Sequence, residues 1–125
     1  MTDKVIIYQV FTRLFGNRNT TRKECGTIAE NGSGKFNDFD SKTLKTIKKL
    51  GVSHIWYTGV IRHATQTNYS QYGIPSQCAT VVKGKAGSPY AICDYYDVDP
   101  DLAVNVEKRM DEFDKLVVRT HKAGL

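Results

Sequence analysis

The sequence predicts an α/β fold with parallel strands and long loops after them, on three observations. Two short apolar runs rich in β-branched and aromatic residues flank one amphipathic segment, the order of a βαβ unit. Two long irregular stretches each follow a strand, whereas the helix-to-strand connection is only Gly51-Val52. In a (β/α)8 barrel the loops after strands carry the functional site and the loops after helices are short. A small doubly wound sheet shows the same asymmetry.

Val5 to Phe11 reads Val-Ile-Ile-Tyr-Gln-Val-Phe, a nearly continuous apolar run that suits a strand buried on both faces. Gly16 and Asn17 end it. Arg18 to Phe39 is polar and reads as a long loop, with a turn signal at Asn31-Gly32-Ser33-Gly34. Asp40 or Ser41 can cap a helix whose apolar stripe is Leu44, Ile47 and Leu50. Lysines fill its last turn and Gly51 terminates it. The second strand centres on Ile55-Trp56-Tyr57-Thr58 and should run parallel to the first. Ile61 to Val104 reads as irregular, with a turn near Gln66–Gln71 and a lysine- and glycine-rich tip at Val81–Gly87. Asn105 caps a final helix with the stripe Val106, Met110, Phe113, Leu116 and Val117, acidic early and basic late as its dipole favours.

Within the second irregular stretch, Ser88 to Pro100 concentrates three tyrosines and three aspartates between two prolines. Each proline pushes its predecessor towards extended backbone, so an ordered extended loop is expected. Aromatic faces beside carboxylates suit a sugar ring; they equally suit a well-packed loop with tyrosines as partial core. Asp94, Asp97, Asp99 and Asp101 lack the glycine and closing glutamate of an EF-hand calcium loop, so they read as structural. His54, His63 and His121 are scattered, and Cys93 has no histidine partner visible in sequence, so neither type reads as catalytic and Cys93 reads as a buried small side chain.

The chain's 125 residues fit one domain with a core of its own. The net charge of +5 raises nucleic acid as a partner. The basic residues are spread without a dense run, so no nucleic-acid partner is expected. Three cysteines without CxxC spacing give no zinc pattern. No apolar run reaches the roughly 18 residues that span a bilayer, and no signal peptide is visible, so a cytoplasmic chain with reduced thiols and no membrane partner is expected.

Four landmarks in this order resemble the start of an alpha-amylase family glycoside hydrolase. Tyr8-Gln9-Val10-Phe11 is similar to the first barrel strand of that family. Leu44 through Trp56 is similar to its first helix and second strand. Tyr90 through Pro100 resembles its Gly-Tyr-x-x-x-Asp-Tyr-Tyr-x-Ile-Asp-Pro segment, and Val106 through Leu125 resembles its second helix. The resemblance implies the N-terminal portion of a (β/α)8 TIM barrel, its first two βα units, with residues 1–125 a partial catalytic domain that stops before the third strand.

By the same resemblance Tyr90 stacks on the sugar at the cleavage subsite. Asp94 matches the acid of that segment as a substrate-site residue with a mainly structural part. Tyr95, Tyr96, Asp97 and Pro100 are scaffold. Three departures from the family pattern stand out: Ala91 where relatives often have Trp or Asp, Gly59 in place of the proline usual after the second strand, and Leu102-Ala103-Val104-Asn105 in place of the usual Phe-Gly-Thr. A retaining glycosidase needs two carboxyl groups about 5 Å apart across the glycosidic bond. In the family these lie on later strands, and the calcium-binding asparagine follows the third strand, so no catalytic, metal or cofactor residue is expected here. The implied partner is an alpha-glucan such as starch or maltooligosaccharide. The fragment alone is expected to be inactive and to self-associate through exposed barrel edges. The alternative is a self-standing carbohydrate-binding or interaction domain without catalysis.

Overall fold

A computed structural model describes residues 4–125. The element order is β1 (Ile7–Phe11), α1 (Thr12–Phe15), α2 (Ile28–Asn31), α3 (Ser41–Lys48), β2 (His54–Thr58), β3 (Ile61–His63), β4 (Ile92–Val98) and α4 (Arg109–Lys122), with short 3-10 turns between. β1 and β2 pair in parallel, Ile7 opposite His54 through Phe11 opposite Thr58, joined by α3 as the crossover helix. The resulting domain is a small α/β unit of two short sheets.

Alternation along β1 and β2 divides the parallel sheet into two unlike faces. Tyr8, Val10, Ile55 and Tyr57 turn towards the core, where Val10 is 5% exposed. Ile7, Gln9, Phe11, His54 and Trp56 form the other row and remain exposed, Ile7 at 57% and Trp56 at 52%. The expected burial of the first strand on both faces is therefore corrected. Nothing among the described residues covers this second row, although its apolar composition is that of a two-sided strand.

The core gathers Val10, Phe36, Phe39, Leu44, Val60, Val98, Leu102 and Leu116. Asp40 caps α3 by accepting from the Thr43 N–H at 2.7 Å, and Leu44 and Ile47 are buried as their spacing predicts. Leu50 falls beyond the helix and is exposed, a correction to the expected stripe. α4 buries Leu116, while Met110 lies near solvent. Asn105 does not cap α4 directly: its side chain accepts from Glu107 N in a 3-10 turn that leads into the helix. Glu112 folds back instead, and its carboxylate accepts from the backbone N–H groups of Val104 and Asn105 at 2.9 and 2.8 Å.

Both long loops carry structure that their composition hides. The first contains α2, whose Thr27 and Glu30 form a reciprocal capping box, and it contributes the fully buried Phe36 and Phe39. The Arg119 guanidinium donates to the carbonyls of Phe39 and Phe36 at 3.1 and 3.0 Å, tying that loop to α4. At Gly34 the loop passes so close to β1's end that a Cβ would meet the Thr12 carbonyl at 2.4 Å.

The second stretch is corrected from irregular to a paired one. β3 and β4 run antiparallel, and Ser88–Pro100 is largely strand rather than loop. The register jumps from Ile61 opposite Val98 to Arg62 opposite Asp94, so Tyr95, Tyr96 and Asp97 form a wide bulge. The expected turn near Gln66–Gln71 falls at Ser70–Tyr72. The Val81–Gly87 tip folds back on the strand end, with Gln66 N–H donating to the Lys85 carbonyl at 2.9 Å.

Candidate functional site: the Tyr90 cleft and the carboxylates behind it

A cleft of about 350 Å³ opens at the carboxyl ends of β1 and β2, lined by Gln9, Phe11, Thr58, Pro89 and Tyr90. In α/β sheets with parallel strands this is the end where ligands bind. Tyr90 is 74% exposed, so its ring face is free. The Gln9 side-chain amide donates to the Thr58 hydroxyl at 2.9 Å, leaving the Gln9 carbonyl oxygen and the Thr58 O–H as an acceptor and a donor. One aromatic wall beside a small acceptor–donor pair matches a sugar's apolar face and rim of hydroxyls.

Gly59 makes room for this arrangement. Its φ is +83°, and a Cβ there would lie 3.1 Å from Phe11 and 3.2 Å from Pro89. Proline, with φ locked near −65°, cannot adopt that backbone. The departure noted in sequence therefore has a local reason: Gly59 lets Pro89 close over the strand end and sets Tyr90 at the cleft rim. Gln9, Phe11 and Thr58 gave no signal as site residues in sequence, because each reads as an ordinary strand position. Phe11 and Thr58 end their strands and Gln9 lies two residues before the end of its own, and that placement is the signal that was available.

Asp94 is not in the cleft. Its carboxylate accepts from Arg62 at 2.8 Å and from the Tyr96 N–H at 2.8 Å, which together hold its pKa below the usual carboxylate value. Arg62 also lies 3.1 Å from Asp97 through Nε, at an angle that makes an ion pair rather than a hydrogen bond. Asp97 accepts from Arg109 at 2.7 and 3.0 Å in a two-pronged pair. This chain of charges fixes the bulge and leaves Tyr95 and Tyr96 facing solvent. Cys93 is exposed, with its thiol near the Arg62 carbonyl, and not the buried small residue expected.

Behind β4 the remaining acids close a buried cluster. Asp101 is fully buried and accepts from Arg13 and from the Tyr69 hydroxyl; the Lys35 ammonium donates to its backbone carbonyl. Asp99 Oδ1 accepts from the Asp101 N–H at 3.0 Å. Its Oδ2 has no hydrogen-bond partner and lies 3.8 Å from both Arg13 and His63. Burial, reinforced by the neighbouring Asp101 charge, pushes Asp99 up to about 6. Burial lowers Lys35, and burial with the Asp101 charge raises Tyr69. No three of the His, Cys, Asp and Glu side chains among the described residues come together as a metal-ligand set.

The chain has no significant match among protein-family models, curated proteins or solved structures. Among the described residues no helix is long and apolar enough to cross a membrane.

Proposed function

We propose that this chain binds a sugar ring at the Tyr90 cleft, and more particularly an alpha-glucan, as the N-terminal part of the barrel of an alpha-amylase-like retaining glycoside hydrolase. The observation that carries the proposal is the free tyrosine face at the carboxyl ends of two parallel strands, beside the Gln9–Thr58 pair. Tyr90 stacks on the ring's apolar face, and Gln9 and Thr58 take hydroxyls. Asp94, Asp97, Asp99 and Asp101 have no catalytic part in this reading. The first two are held by arginines outside the cleft, and the last two are closed in beneath β4. Acid–base chemistry belongs, on the resemblance, to carboxylates of later barrel strands.

A second reading, a carbohydrate-binding domain without catalysis, is favoured by one fact: among the described residues no carboxylate lines the cleft. Calorimetric titration with maltooligosaccharide tests the shared claim. Tyr90→Phe should keep the affinity and Tyr90→Ala should reduce it by about tenfold, since only the ring face is used. Undiminished binding by Tyr90→Ala removes the cleft from either reading. Both readings predict that the chain alone leaves the sugar uncleaved, so hydrolysis by it would contradict both.

A further inference from the structure

A second cavity, of about 510 Å³, lies between the two long loops and shares no residue with the Tyr90 cleft. We infer that it is a binding site for a phosphorylated sugar. Its size is in the range of small-ligand sites, roughly 300–1,000 Å³. One wall comes from the first loop, with Asn17, Asn19 and Arg22; the other comes from the second stretch, with Thr67 and Lys85.

The walls are held in place without a ligand. The Asn17 side chain donates to the Asn31 carbonyl at 3.0 Å. The Asn31 side chain in turn brackets the Lys23 backbone at 2.8 Å on both its donor and its acceptor. Opposite, the Thr65 hydroxyl and Gln66 N–H both donate to the Lys85 carbonyl. Arg22 takes a left-handed backbone with φ of 50°, uncommon for a residue with a Cβ.

Charge selects the ligand. Arg13, which also lines the cavity, is neutralised by Asp101. The ion pairs found among the described residues include neither Arg22 nor Lys85. The Lys85 ammonium donates to the neutral Gln66 side chain at 3.2 Å. Arg22 and Lys85, without carboxylate partners among the described residues, thus line one cavity of mixed polar and apolar character, whose carboxylate, the fully buried Asp101, is held by Arg13. A neutral sugar leaves both unused. A phosphate monoester carries close to two negative charges at neutral pH and accepts charge-assisted hydrogen bonds from both. The amides of Asn17 and Asn19 and the Thr67 hydroxyl then meet the sugar's hydroxyl groups.

The test is calorimetry on the whole chain with glucose 6-phosphate, glucose and inorganic phosphate. The expected result is saturable binding of the ester, at least about tenfold tighter than glucose or phosphate alone. The double variant Arg22→Gln/Lys85→Gln should lose about tenfold or more for the ester, while both side chains are exposed and the far-ultraviolet dichroism should not change. On the unaltered chain, ester binding should weaken steeply with added salt. No saturable ester binding, equal binding of glucose, or an affinity insensitive to both the double variant and salt overturns the inference. Inorganic phosphate binding as tightly as the ester overturns the sugar part. Tyr90→Ala should leave ester binding unchanged, so failure of this site and failure of the alpha-glucan reading are separately visible.

Discussion

The stretch from Tyr90 to Asp101 has two ends with opposite fates. At one end Tyr90 stands in the open, its ring face free and its surroundings holding one spare acceptor and one spare donor. At the other, Asp99 and Asp101 are enclosed with Arg13, His63, Lys35 and Tyr69; both carboxylate oxygens of Asp101 are bonded inside the protein, and the carboxylate of Asp99 bonds through Oδ1 alone. In sequence these residues look like a single acidic–aromatic element. In the fold β4 separates an exposed end, the one we propose meets the sugar, from a supporting end. An exposed aromatic face is open to a ligand, whereas the buried carboxylates make a joint. The joint brings α1 (Arg13), the first loop (Lys35), the end of β3 (His63) and the stretch after it (Tyr69) to one point.

The widest separation of the two ends should appear on cutting the joint. Asp101→Ala leaves the partly buried Arg13 without its main partner; breaking a fully buried pair this way costs about 3–5 kcal/mol, and the loss here should approach the lower end of that range. Urea unfolding should show that loss, while Tyr90→Ala should shift the midpoint hardly at all. A small loss for Asp101→Ala would mean that the cluster does not hold the loops.

The next largest contrast is in pH. Asp99 titrates near 6 in the folded chain, against an ordinary value of 3.8. Between about pH 4 and pH 6 the folded chain therefore holds a proton that the unfolded chain has released. Stability from this group falls as pH rises through that window, and the penalty is complete above it. Arg13, Asp101 and His63 face the same carboxylate, so the midpoint belongs to the cluster rather than to one residue. Asp94 has the opposite sign: its lowered pKa contributes stability above the ordinary carboxylate range that is lost as pH falls below it. Stability followed from pH 3 to 8 should lose its decline across pH 4–6 in Asp99→Asn, and keep it in Asp94→Asn. Identical profiles for the two variants would erase the distinction between a buried and a bulge carboxylate.

The smallest effect concerns the sheet's two faces. Ile7, Phe11 and Trp56 leave an apolar row uncovered beside open strand edges, a surface that tends to pair with another copy. Light scattering across a concentration series should detect self-association that Trp56→Asp weakens. A monomer at all concentrations would show that the row is tolerated bare.

How much of this was legible follows the physics of each element. α3 was readable because Asp40, the Leu44–Ile47 spacing and Gly51 agree with one another at short range. The parallel pair was readable because Val5–Phe11 and Ile55–Thr58 are β-branched and aromatic. β3 and β4 were not: one is three residues long, and the wide bulge at Tyr95–Asp97 destroys the period of two by which a half-buried strand is recognised. Glu112 reads as a surface acid in an early helical turn, and only the returning backbone at Val104 and Asn105 makes it a cap. Tyr90 was singled out in sequence only through the resemblance of Tyr90–Pro100, and its exposure appears only in the fold. Gln9 and Thr58 become a pair only when two strands 49 residues apart lie side by side.

The central claim is that the Tyr90 end, and not another exposed aromatic, meets the sugar. Trp56, Tyr95 and the 94%-exposed Tyr96 are the competing platforms. The most direct measurement is backbone and aromatic chemical-shift mapping by nuclear magnetic resonance during titration with maltotriose. The account predicts shifts concentrated at Gln9, Phe11, Thr58, Gly59 and Tyr90, with the Tyr95–Tyr96 bulge and Trp56 unmoved. Shifts centred on the bulge or on Trp56, or no shifts at saturating sugar, would contradict it.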